Sequence, residues 1–173
     1  MPATPDYGIR TFGNDDALPP EVEQLLAEEL AYSRKPLPAD RPDRDEWRFV
    51  TVCALADGGR VLGAAHFDVG PMNFGPLKHE RMAFLEQMFV RPECRGGGVG
   101  TRILSAGLDA LRRLGCVHVQ HSVAWDNPPA IALCRRCGFA LVDLSDDDNA
   151  SRTDGEYFAI RPLSSAGACR PGR

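Results

Sequence analysis

The segment Cys94-Arg95-Gly96-Gly97-Gly98-Val99-Gly100-Thr101 constrains this chain more than any other, because of what flanks it. Before it lies Ala83–Val90 (AFLEQMFV), an apolar run of strand length, and after it Ile103–Leu114 repeats Ile103, Leu104, Leu108, Leu111 and Leu114 at near-helical spacing. A strand, a glycine turn and a helix start form an anion seat: the glycines let backbone approach a ligand, and the first helical N–H groups point outward without intrahelical partners. The spacing excludes two common phosphate loops. A P-loop ends in Gly-Lys-Ser/Thr, whereas Gly100 is followed by Thr101 and Arg102. A dinucleotide fingerprint needs a third glycine where Thr101 stands, and an acidic residue about 20 positions on.

The remaining elements read as a mixed α/β order. Tyr7–Phe12 is a short strand, and Pro19-Pro20 opens a helix whose apolar stripe is Val22, Leu25, Leu26, Leu30 and Ala31. Pro36, Pro38 and Pro42 break regular structure, and the charged stretch 40–46 makes a loop of the kind that borders binding sites. Trp47–Ala56 and Arg60–Val69 pair as a hairpin across Asp57-Gly58-Gly59. Gly70–Met82 is expected to be a long loop, in which Met72 and Phe74 either line a pocket or pack on the core. Cys116–Ala124 is a strand by its valines, Asn127-Pro128-Pro129 starts a helix over Ala130–Cys137, and Gly138 ends it. Phe139–Leu144 and Gly155–Leu163 close the sheet, giving one domain over 1–163 and a small, polar, disordered tail over 164–173.

Composition narrows the partners. A net charge of −4 argues against nucleic acid, and no window holds the ~20 apolar residues of a membrane span. The first ten residues lack the apolar core of a secretory signal, so a cytoplasmic location is expected. Of the six cysteines only Cys134 and Cys137 form a C-x-x-C pair, with no second pair to complete a zinc site; free thiols and no metal are expected.

Arg95-x-x-Gly98-x-Gly100, preceded by Phe89-Val90-Arg91-Pro92, resembles the acyl-CoA-binding motif of the Gcn5-related N-acetyltransferases. Asn127, Ala130 and Cys134-x-x-x-Gly138-Phe139 look like that family's second signature, so the resemblance runs from about Val61 to Val142. Leu85–Val90 and Trp125–Pro128 are similar to the diamine (polyamine) acetyltransferases. The resemblance implies an α/β fold with a mostly antiparallel central sheet, acetyl-CoA as cosubstrate, and transfer of the acetyl group to a primary amine by direct attack on the thioester. It places the pantetheine arm along Met88, Phe89 and Val90. The diphosphate goes against Arg95, Gly96, Gly97, Gly98, Val99, Gly100 and Thr101, and Asn127 and Ala130 lie on the other side. It also implies homodimers.

Glu86 is the candidate general base, a carboxylate on an apolar strand leading into the acyl site. His66 and His79 are weaker candidates. Where many members carry a proton-donating tyrosine, this chain has Cys134, which either donates a proton or packs against the helix; Tyr157 is a substitute that nothing in the sequence places. Asp143, Asp146, Asp147 and Asp148 form an acidic loop suited to a small cationic amine acceptor. A lysine or N-terminal protein acetyltransferase and a non-catalytic acyl-CoA-binding module are the alternatives.

Overall fold

A computed structural model describes residues 5–27, 47–71, 80–143 and 155–163. Leu30, Ala31, the proline-rich loop, Met72, Phe74, His79, Asp146–Asp148, Cys169 and the tail lie outside the described residues. Seven strands form one sheet: β1 (Tyr7–Phe12), β2 (Arg48–Ala56), β3 (Val61–Pro71), β4 (Arg81–Val90), β5 (Cys116–Ala124), β6 (Ala140–Asp143) and β7 (Glu156–Pro162). Helices α1 (Pro20–Leu25), α2 (Val99–Arg113) and α3 (Pro128–Arg136) complete the described fold. The strand order is β1-β2-β3-β4-β5-β7-β6, antiparallel throughout except where β4 meets β5. This is the mixed, mostly antiparallel α/β architecture that the resemblance implies.

The core has two layers because every central strand is apolar on both faces. On one face α2 lays Ile103, Leu104, Leu108 and Leu111, all essentially without exposure, over Val52, Leu62, Ala65, Phe67 and Val69. Each side chain removed from water there contributes roughly 1.5–3 kcal/mol. On the other face α1 sets Val22, and Leu26 at its C-cap, against Cys53, Val61 and Ala64. Leu25, expected in the same stripe, is 46% exposed: the short helix turns only one edge inward.

Two other expectations change. The segment expected to be a loop from Gly70 begins and ends as strand, with Gly70 paired to Met82 and Pro71 to Arg81. Gly70 tolerates this because Trp47 lies where its side chain would be, a Cβ there coming within 2.6 Å of the indole. The helix expected to begin at Ala130 starts two residues earlier, at Pro128, where the missing N–H costs nothing in a first turn.

The register positions the site. Parallel pairing between β4 and β5 runs only from Arg81↔Cys116 to Phe84↔Gln120, after which the strands part. On its other side β4 stays paired with β3 as far as Val90↔Gly63, but the partner of His66 is Gln87 and that of Phe67 is Leu85. Glu86 is therefore the extra residue of a β-bulge at the apex of the parting.

Packing of α2 on β3 is close enough to forbid a methyl group. A Cβ on Gly107 would lie 2.6 Å from the buried Phe67 ring. Although alanine is the better helix former, Gly107→Ala is expected to lower stability by about 1–2 kcal/mol through overpacking. Urea denaturation checks this, and an unchanged or raised midpoint would contradict the packing described.

Candidate active site

Between the parted strands lies a cleft of about 500 Å³. Its walls are Leu85–Val90 of β4, His121–Ala124 of β5, the glycine loop with the first turn of α2, and Asn127, Ala130, Leu133, Cys134 and Arg136 on or beside α3. Of the residues named from sequence, Glu86, Met88, Phe89, Val90, Arg95, Gly96, Gly98, Gly100, Thr101, Asn127, Ala130 and Cys134 all line it. Gly97 and Val99 do not; Val99 is instead buried in the core beneath α2. His66 is fully buried away from the cleft, its Nδ1 2.8 Å from Thr51 Oγ1 and its Nε2 3.5 Å from Asp68. Tyr157 also stands outside the lining, with its ring 6.1 Å from that of Trp125.

The loop forms an open helix terminus for local reasons. Gly98, the N-cap of α2, has φ 82°, a left-handed conformation that side chains resist by about 1–2 kcal/mol. No side chain caps the terminus, and no acidic residue stands in its first turn. The N–H groups and dipole of α2 are thus presented to the cleft rather than satisfied by the chain's own carboxylates. Gly100 keeps the approach narrow, since a Cβ there would sit 3.4 Å from both Met88 and Val90. These residues fit a diphosphate. The β5-facing edge of Met88, Phe89 and Val90 has no strand partner, so an extended arm can lie along it.

Asn127 is an N-cap, its Oδ1 accepting a 3.2 Å bond from the Ala130 N–H. One residue at the apex escaped the sequence reading. His121 places Nε2 3.3 Å from Cys134 Sγ and Nδ1 2.8 Å from the Ser122 carbonyl. A carbonyl only accepts, so Nδ1 carries the proton, Nε2 is an acceptor, and the Cys134 S–H donates to it. The signal was present: His121 alternates with Val119 and Val123 on the buried face of β5, where an unpartnered imidazole would be costly.

Burial sets the ionisation of this corner. The Cys134 thiol is pushed up from 9.0 to about 11, chiefly by desolvation and then by neighbouring Cys137. Desolvation also lowers His121 below its ordinary 6.5, partly offset by the Ser122 carbonyl. The pair is neutral around pH 7. Elsewhere Cys53 is raised to about 12 and Cys116 to about 11 by burial, and His118 is lowered by it.

One cleft thus brings together an open helix terminus and an unpaired strand edge. The chain matches the Acetyltransferase (GNAT) family over residues 20–139 and belongs to that family. It is 34% identical over 102 residues to mycothiol acetyltransferase from Saccharomonospora viridis, covering 58% of this chain and 33% of that protein. It is 35% identical over 91 residues to the enzyme of the same name from Pseudarthrobacter chlorophenolicus, covering 53% and 27%. The chain thus spans about a third or less of the length of these curated relatives. Among solved structures, nourseothricin acetyltransferase is 28% identical with a TM-score of 0.50, over 74% of this chain and 75% of that one. A GNAT family N-acetyltransferase from Escherichia coli in complex with CoA shares the fold with a TM-score of 0.60, at 19% identity over 95% and 85%. None of these four is named for a diamine or polyamine. Among the described residues no helix is long and apolar enough to cross a membrane.

The ionisation shifts predict a stability plateau. Raised thiols favour the folded chain fully below pH 9.0 and lose that contribution as pH rises through about 11–12. The lowered histidines contribute fully above 6.5 and lose it as pH falls. The urea midpoint is therefore expected to be flat between about 6.5 and 9 and to decline on both sides. A midpoint still rising at pH 10 would contradict the buried, protonated thiols.

Proposed function

We propose that this chain transfers an acetyl group from acetyl-CoA to a primary amine of a small cationic molecule. The observation that carries the reading is the coincidence of three features in one cleft: an uncapped helix terminus, an unpaired strand edge and a carboxylate on the bulge between them. The relatives above 25% identity are named for mycothiol and nourseothricin rather than for a protein, which supports a small acceptor. Asp143, at the end of β6, is the described part of the acidic stretch that would attract a cation.

In this mechanism the amine attacks the thioester directly. A lysine-like amine with a pKa near 10.4 is only about one part in 10³ neutral at pH 7, so deprotonation costs roughly 4–5 kcal/mol. Glu86, exposed at the bulge, takes that proton directly or through water. The new C–N bond forms as the carbonyl oxygen becomes an oxyanion, stabilised by N–H groups on the unpaired edge of β4. The C–S bond then breaks and the CoA sulfur leaves with the electron pair.

Cys134 serves this step as a hydrogen-bond donor rather than as an acid. Burial that raises Cys134 to about 11 makes it a poorer acid than an ordinary thiol. Its hydrogen can instead rotate from His121 toward the departing sulfur, and water supplies the final proton. The same feature favours a second reading, a non-catalytic acyl-CoA-binding module, because the family's tyrosine is absent.

One assay separates the two: thiol release from acetyl-CoA across a panel of amines and peptides. Release that depends on a small cationic amine is expected, and CoA binding without turnover would establish the module. Glu86→Gln is expected to lower kcat by about 10²-fold while leaving the acetyl-CoA KM within about twofold. An unchanged kcat would remove Glu86 as the base.

A further inference from the structure

We infer that Arg136, at an unassigned position between Cys134 and Gly138, is a second cationic anchor for the diphosphate of the acyl donor and sets the preference for CoA over phosphate-free thioesters. The inference rests on the acetyl-CoA reading above and assigns a residue that reading does not use.

Arg136 lies in the last turn of α3, and its Nη1 donates to Thr101 Oγ1 at 3.4 Å. Thr101 is the third residue of α2, so this guanidinium stands beside the open amides of Val99, Gly100 and Thr101. Arg95 approaches from the loop before α2 and donates through Nε to the Val90 carbonyl at 3.0 Å. That bond fixes the plane of Arg95 while leaving both of its terminal nitrogens for a ligand. The two guanidiniums line the same cleft as the helix terminus.

Their place in the cleft lining distinguishes them from the other described arginines. Arg91 pairs with Glu21, Arg60 with Glu93 and Arg112 with Asp109. Among the described residues neither Arg95 nor Arg136 has a carboxylate partner. Two guanidiniums in the cleft beside an uncapped helix terminus mark a seat for an anion of higher charge. Planar, multiply donating guanidinium suits phosphate oxygens, and two such groups from different elements match an anion with two phosphorus centres. A 3′-phosphate shares this chemistry, so the test separates it from the diphosphate.

Calorimetric titrations of wild type and Arg136→Ala with CoA and dephospho-CoA provide the test, with S-acetylpantetheine turnover as a phosphate-free comparison. Removing the anchor is expected to weaken CoA and dephospho-CoA alike by about tenfold, the worth of one charge-assisted bond to phosphate. The kcat/KM for S-acetylpantetheine should stay within twofold. Arg136→Lys should recover only part of the affinity, because an ammonium cannot reproduce the planar fork. Unchanged CoA affinity would overturn the inference, as would equal loss with S-acetylpantetheine, which would mean that Arg136 merely ties α3 to α2. Loss with CoA but not dephospho-CoA would overturn the diphosphate assignment in favour of the 3′-phosphate. Failure of the wild type to bind CoA would instead remove the reading on which the inference rests.

Discussion

The parting of β4 from β5 is the constraint on which the rest of this structure depends. Hydrogen bonding between them stops at Phe84↔Gln120, while β4 remains anchored to β3 for six more residues. An interrupted sheet leaves backbone donors and acceptors facing a groove, and buried backbone groups without partners are costly. In the proposed function a guest would complete the ladder, as extended ligands do at a strand edge. The bulge at Glu86 belongs to the same distortion: the residue that breaks the register is the one that sets a carboxylate at the apex.

Electrostatics divides the cleft into two ends. The α2 terminus, Arg95 and Arg136 make one end positive in a molecule of net charge −4. Glu86, at the other end, suits the amine of the proposed reaction. Between them His121 and Cys134 form a neutral hydrogen-bonded pair whose ionised forms are suppressed by burial. In the proposed reaction an anionic coenzyme and a cationic acceptor would enter from electrically distinct sides.

Local features were legible in the sequence. Gly98 and Gly100 announced the turn, and the strand over Cys116–Ala124 has the boundaries read from its valines. The Asn127-Pro128-Pro129 start also behaved as its side chains dictate, with Asn127 capping α3. What escaped were properties of pairing. Neither the bulge at Glu86 nor the end of the β4–β5 ladder has a local signal, because each depends on which residue of a distant strand lies opposite. The contact between His121 and Cys134 joins residues 13 apart on different elements, and that of Arg136 with Thr101 joins residues 35 apart. Leu25 misled because its stripe assumed a longer helix than α1 presents.

Amide chemical-shift mapping of the labelled chain, titrated with CoA, tests the central claim most directly. The account predicts that shifts concentrate in Met88–Val90 and Gly96–Thr101, the open strand edge and the open helix terminus. Saturable binding that moves amides on β1, β2 or α1 while leaving those two segments unchanged would contradict it.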